Sequence, residues 1–479
     1  MVQNRKILFI ENFLAYGAIA ALDKVVPLIM LPIVTRLLPN TADYGKFEMF
    51  NAIVGFGSSF AILGMYDAMF REYFEKDDCA YKNMVTSTAL KIVFAVSILT
   101  SVFLIILCKP LSKIFLGDSS SFFIVIMASI GVFLTANKTI ISAPTRMRNQ
   151  RKIYVFSGIS YSLVYYVTAI LFITFGMHYN GLIYGNIIAS LYILSFFFFL
   201  NYSAFNFLLF DKKVAKELLK IGAPLVPCFI IYWAFNSMDK IMISHMLSMK
   251  EVGVYAIGAK VASVSMFIYT AFAGGWQYFA FSTMKDKDQV ELTSKIFEYL
   301  GVLSFLIFTI SVLFNNAIFH LFFVGDYVRG AIVFPYLFLS QLILMLFQTA
   351  GNQLLIVKKS YLSTICLLVG LMLNFALNYF MIPVFGIRGA AFATLVGYTL
   401  SVLVMMLLTN SLGLIIYKKR FIQLSAMMCG LVMTIFINLN SKYTIYLSIF
   451  LMLFICIIYR DEFLRLLIFK GKNNEANTN

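Results

Sequence analysis

Charge is what this sequence most lacks. Only 13% of its 479 residues are Asp, Glu, Lys or Arg, whereas 61% are apolar and the mean hydropathy is +0.87. A soluble globular chain carries nearer a quarter charged residues. Charge is missing over run after run of about twenty residues, which excludes a soluble fold and leaves a chain that crosses a membrane many times. Within a bilayer every backbone group must be satisfied by the protein, so only helices or a closed barrel remain. The runs are too long and unbroken for alternating barrel strands, and they are read as helices.

Cysteine and histidine are also scarce. Cys79, Cys108, Cys228, Cys366, Cys429 and Cys456 show no CxxC and no regular spacing. Most sit inside apolar runs, as small hydrophobes do. His178, His245 and His320 lie far apart. No metal site is expected. Long loops are lacking too. The largest on one side, about 69–83 and 202–217, leave no room for a folded domain, which excludes catalysis in a separate soluble module. A cleavable leader is not expected, because Met1 to Lys6 run into an apolar stretch without a small-residue cleavage site.

What is present is an all-α polytopic pattern of fourteen spans. They fall near 12–36, 45–68, 84–108, 121–143, 153–176, 180–201, 218–244, 252–282, 296–317, 332–357, 361–382, 388–411, 421–438 and 443–459. The formal charge of +16 is distributed by topology. Most lysines and arginines fall on the N-terminus, the even-to-odd loops and the C-terminal tail. The opposite loops hold only Arg36, Lys109, Lys113, Lys250, Arg329, Arg388 and Lys442. This bias predicts that both termini are cytoplasmic.

The chain also repeats itself. Asp43-Tyr44-Gly45-Lys46-Phe47 is matched by Glu251-Val252-Gly253-Val254-Tyr255: an acid, a glycine two residues on, an aromatic two further. Arg151-Lys152-Ile153-Tyr154 is matched by Lys358-Lys359-Ser360-Tyr361, and Phe175-Gly176 by Phe385-Gly386. Order and near-constant offset predict a parallel repeat of two six-span lobes, 1–205 and 206–415, with two extra spans and a tail in 416–479. Two like bundles around a central cavity point to transport by alternating access.

A charge at mid-membrane costs roughly 2.5–3.5 kcal/mol and normally faces a bundle interior or water. Asp23-Lys24 in span 1 and Asp239-Lys240 in span 7 are therefore the leading candidates. Lys138, Lys260, Asn51 and Asn236 join Lys24 and Lys240 as expected cavity residues for an anionic group such as phosphate or pyrophosphate. Asp23, Asp239 and Glu48 are expected to couple ions or form ion pairs. Asp23 with Lys240, or Asp239 with Lys24, would do no more than hold span 1 to span 7. Lys46, Glu48 and Lys260 have a second reading as side chains that reach back to the outer interface. Asn137 in span 4 is another polar candidate. Gln341, Gln348, Asn352 and Gln353 in span 10, and Asn374 and Asn378 in span 11, fit interhelical hydrogen bonding better than ligand binding. Pro27 and Pro32 in span 1, and Pro224 and Pro227 in span 7, are hinge candidates.

Two local motifs carry a family resemblance. Pro27 to Leu38 followed by Asp43-Tyr44-Gly45, and Asn236-Ser237-Met238-Asp239-Lys240 followed by Glu251 to Tyr255, resemble the polysaccharide-transporter family, the O-antigen and capsule oligosaccharide flippases. That family shares a superfamily with MATE transporters and the lipid II flippase. The resemblance implies two six-helix lobes around a cationic cavity. The implied cargo is an undecaprenyl-pyrophosphate-linked oligosaccharide, moved across the bacterial cytoplasmic membrane for surface polysaccharide synthesis. It implies no cofactor beyond a coupling H+ or Na+. The implied partners are the lipid-linked cargo, membrane lipids and polysaccharide assembly proteins, not nucleic acid. Three alternatives stand beside it. A lipid II flippase fits the span count and the lysines equally well. A MATE-type multidrug antiporter would want an acidic or aromatic pocket. A membrane polymerase or ligase would want a large external loop.

Overall fold

The computed structural model describes residues 26–206, 208–268, 288–357, 359, 361–438 and 442–460. Among them there is no strand. The helices are α1 (Val26–Leu37), α2 (Thr41–Ala61), α3 (Met65–Tyr73), α4 (Cys79–Ile106), α5 (Cys108–Leu116), α6 (Phe122–Met147), α7 (Arg151–Phe172) and α8 (His178–Leu200). Then come α9 (Lys212–Gly222), α10 (Val226–Met246), α11 (Met249–Ala262), α12 (Gln289–Phe322), α13 (Phe334–Ile356), α14 (Tyr361–Ser411), α15 (Lys419–Ile437) and α16 (Lys442–Ile458). Caps mark several starts: Asn40, Asp78, Asp211 and Ser248 each accept backbone N–H bonds from the first turn of the helix that follows, the usual remedy for unpaired donors there.

Nine helical stretches among the described residues are long and apolar enough to cross a membrane, or ten if α2 and α3, bent by 46°, form one span. Fourteen is thus the expectation of the sequence and not a count that these lengths give. Two stretches are long enough to hold two expected spans each, and both are hairpins. The first runs through α7 and α8 and breaks at Gly176, whose φ of 83° a glycine adopts without strain. The second, α14, breaks at Gly386 with φ 60°. Its two legs meet so closely that a Cβ on Gly370 would collide with the Gly397 carbonyl oxygen. Gly176 and Gly386 are the glycines that marked the third repeat cue, and each stands at the break of a hairpin.

Contacts divide the helices into two groups. In the first, α2, α4, α6, α7 and α8 pack on one another; in the second, α10, α11, α12, α13 and α14 do. The groups meet where α2 crosses α11 and α10, and where α5 touches α10. The α2–α11 crossing is made by the first repeat cue. A Cβ on Gly45 would strike the Met249 carbonyl oxygen, and one on Gly253 would strike that of Thr41. Only glycine permits this approach of two backbones. The contact lies at the lysine-poor end of the molecule. Three more bonds join the groups at that end. The Tyr327 hydroxyl donates to the Leu38 carbonyl at 2.7 Å, Ser244 Oγ donates to that of Phe115 at 3.1 Å, and His245 Nε2 lies 2.6 Å from that of Ile114.

The prolines fall as follows. Pro27 stands in the first described turn of α1 and Pro32 is buried within it. Pro224 belongs to a 3-10 turn, Ala223–Leu225, and Pro227 to the first turn of α10. That pair marks the join between the surface helix α9 and α10 instead of breaking the middle of a span. A proline at a helix start gives up an N–H that would have no partner anyway.

The last two helices attach through a buried carboxylate. Glu298 on α12 receives Arg420 Nε at 2.5 Å and the Tyr459 hydroxyl at 2.9 Å, with Lys418 Nζ at 3.3 Å. Both ends of the α15–α16 pair are thereby fixed to α12.

Candidate functional site: a cavity between the helix groups

A cavity of about 610 Å³ opens between the two groups. α1, α2, α7 and α8 wall one side; α10, α11, α13 and α14 wall the other. Two charged clusters border it; both draw on α10 and α11, and one adds α2 where the other adds α14.

The first is centred on Glu48 of α2. Its side chain is 2% exposed. It takes Lys240 Nζ of α10 at 2.8 Å and Lys260 Nζ of α11 at 3.5 Å, with Asn51 Nδ2 at 3.5 Å one turn along its own helix. Glu48 is therefore an inter-group ion pair and not an interfacial side chain reaching back to the surface. Its two lysines differ in access. The Lys240 side chain is 15% exposed and that of Lys260 is 48% exposed. Asn236, one turn before Lys240, is exposed to the cavity while its amide bonds the Tyr232 carbonyl at 2.7 Å.

The second is centred on Asp239, which neighbours Lys240 in sequence. Successive helical residues point about 100° apart, and Asp239 turns inward. It is 3% exposed. It accepts from the Tyr255 hydroxyl of α11 at 2.5 Å and from Asn378 Nδ2 of α14 at 2.6 Å. Asn374 Nδ2 lies at 3.5 Å, and the Thr394 hydroxyl donates as well. All four partners are neutral. Asn374 and Asn378 are thus ligands of a buried carboxylate, a closer role than general interhelical bonding. Gln353 does play that general part, donating to Thr293 Oγ1 at 3.1 Å.

Of the two ion pairs considered between spans 1 and 7, only the span 7 members are described. Lys240 is held by Glu48, and Asp239 by neutral donors. Asp23 and Lys24 lie outside the described residues, as does any relation of theirs to the cavity.

Lys138 is not among the residues that line the cavity. Its ammonium lies 4.8 Å from the centroid of the Tyr161 ring, which is. Asn137 bonds Ser97 Oγ at 3.0 Å and the Phe133 carbonyl at 2.8 Å, and serves packing. Lys46 rests over the Tyr179 ring at 4.8 Å. By count, the described lining holds two carboxylates and two lysines. Asp239 is sealed under its donors and Glu48 is buried, so the charge that meets the open volume is that of the lysines.

Several lining residues carried no signal in the sequence. Trp233 Nε1 donates to the Ala52 carbonyl at 2.8 Å and its ring packs on Phe56 and Phe115, tying α10 to α2 and α5. Tyr161, Tyr165 and Tyr166 of α7 face it across the cavity. Thr394 is an ordinary helix residue until the hairpin at Gly386 folds it onto Asn374, where the two bond at 3.2 Å. Tyr255 alone had a cue, as the aromatic of the repeated motif.

The fold is like that of solved lipid II flippase and MATE transporter structures. The chain aligns with a lipid II flippase, MurJ, in an inward closed conformation, at TM-score 0.69 and 14% identity, over 95% of this chain and 100% of that one. It aligns with an inward-facing multidrug resistance MATE family transporter of the MOP superfamily at TM-score 0.64 and 12% identity, over 83% and 94%. The MATE multidrug transporter DinF-BH aligns at TM-score 0.61 and 18% identity, over 85% and 94%. No curated protein matches by sequence. The profile of the family described as "Polysaccharide biosynthesis protein" matches residues 33–322. The chain belongs to that family, and it is a multi-pass helical membrane protein with a transporter fold.

Proposed function

We propose that this protein is a flippase for undecaprenyl-pyrophosphate-linked oligosaccharide repeat units, serving surface polysaccharide synthesis at the bacterial cytoplasmic membrane. The observation that carries this reading is the convergence of Lys240 and Lys260 on one cavity between the helix groups. An ammonium is a strong donor to phosphate oxygens. The tyrosines and Asn236 offer the hydroxyl, amide and ring surfaces that a sugar chain can use. The lipid tail would stay in the bilayer while the charged head crosses.

In this reading residues 1–205 and 206–415 are two lobes that rock about the cavity, and 416–479 is an accessory segment. The lysine-rich loops and both termini face the cytoplasm, so the Gly45–Gly253 end faces outward. Asp239 is the coupling carboxylate: a buried anion whose described partners are neutral hydroxyls and amides suits H+ or Na+. Asp23 and Lys24 keep the coupling and cargo roles assigned from sequence. Pro27, Pro32, Pro224 and Pro227 are the hinge positions. Transport, not catalysis, is the activity.

Deleting the gene tests the reading. An undecaprenyl-linked glycan is expected to accumulate on the cytoplasmic face, with loss of surface polysaccharide. If no such intermediate builds up, the cargo assignment fails.

A further inference from the structure

We propose that Glu48 is a built-in anion whose place on Lys240 and Lys260 is taken by the phosphate groups of the cargo, and that losing it unlocks the outer end of the molecule. The inference rests on the flippase reading for its ligand class and its orientation. Glu48 belongs to the first helix group, whereas both lysines belong to the second. The ion bridge therefore spans the seam that must part if the outer end is to open.

Its position on the helices matters as much as its charge. Glu48 is three residues beyond Gly45 on α2, and Lys260 is seven beyond Gly253 on α11. The bridge thus lies within one to two turns of the glycine contact, on its cavity side. Helix backbones held at glycine contact gain dispersion only while nothing pushes them apart. A buried carboxylate stripped of its cations is strongly unfavourable where it stands. A ligand can shift a conformational balance only through unequal affinity for its two states. Displacement supplies that inequality: an anion on the lysines leaves Glu48 uncompensated in the closed arrangement, and separation of α2 from α11 relieves it.

Access fits an ordered exchange. Lys260, about half exposed, is the contact an entering anion meets first; Lys240, more enclosed and closer to Glu48, follows. With one carboxylate between two ammonium groups, the site already prefers a ligand bearing more than one negative charge.

The test uses the full-length protein in phosphatidylcholine nanodiscs, with inorganic pyrophosphate and farnesyl pyrophosphate as probes. Hydrogen–deuterium exchange is followed in 41–48 and 249–260. For the wild type, either probe is expected to raise exchange in both segments severalfold. Glu48→Gln is expected to show the raised exchange without probe, and to bind pyrophosphate about tenfold tighter, as when a competent state rises from about a tenth of the population to nearly all. Lys240→Ala is expected to lose the response. A response to phosphatidylglycerol nanodiscs alone would support displacement but assign the anion to lipid. Pyrophosphate binding that raises no exchange in the wild type would overturn the proposal, and this arm needs no variant to fold. So would a Glu48→Gln protein, folded by its thermal transition, that binds pyrophosphate no tighter. Those failures leave the flippase reading standing, because that reading falls only if the deletion strain accumulates no lipid-linked glycan.

Discussion

Asp239 and Lys240 are neighbours in the chain and strangers in the fold. One turns to α11 and α14, the other to α2. Two residue-scale predictions separate their roles. If Asp239 takes a cation, that cation stabilises the folded protein by mass action, about 2.7 kcal/mol at a hundredfold excess over Kd. The wild type is then expected to gain several degrees of thermal stability on addition of Na+ or on mild acidification, and Asp239→Asn is expected to gain none. Lys240→Ala and Lys24→Ala are expected to cut surface glycan severalfold, with the protein level unchanged on immunoblots. Loss of the protein itself would instead make these lysines structural. Lys240→Ala leaves Glu48 still facing Lys260, so its cost to folding is expected to be smaller than the roughly 3–5 kcal/mol of stranding a buried charge.

At the scale of elements, the repeated glycines are contact points. A side chain at Gly253 would run into the Thr41 carbonyl, and overpacking of this kind costs about 1–3 kcal/mol. Gly253→Ala is expected to lower the unfolding temperature. Gly430 of α15 faces open space where a Cβ would stand. Gly430→Ala is expected to be neutral or to stabilise by up to about 1 kcal/mol through helix propensity, which makes it the matched control in the same thermal scan. The motif was legible because an acid, a glycine and an aromatic recur in order. That the two copies of this motif press against each other was not legible, since self-similarity says nothing of which surfaces meet.

For the whole molecule, the question is how the last two helices belong to the rest. Glu298 joins α12 to Lys418, Arg420 and Tyr459. Glu298→Ala removes the carboxylate that Lys418, Arg420 and Tyr459 share and is expected to lower the unfolding temperature, by less than stranding a fully buried charge would, because both cations reach solvent. Limited proteolysis between α14 and α15 is expected to speed up in this variant, while Glu291→Ala, which loses only an exposed pair with Lys295, is expected to match the wild type. Nothing in the sequence singled out Glu298, which reads as one more acid near a span end.

The sequence by itself determined that this chain is helical and spans a membrane many times. Hydropathy and motif order are local, one-dimensional properties, and the bilayer leaves them few structural answers. It also pointed to Asp239, Lys240 and Glu48, because a charge in an apolar run is conspicuous wherever it finally points. Partnership was decided only by tertiary structure. Glu48 and Lys240 lie 192 residues apart, and Asp239 meets Thr394 and Asn378 only because α14 folds back at Gly386. The same long-range packing set Lys138 beside the Tyr161 ring and pressed Gly45 and Gly253 into the crossing of α2 and α11. Such choices depend on which helix faces which, and a charge or glycine read along one chain carries no record of its neighbour across the cavity.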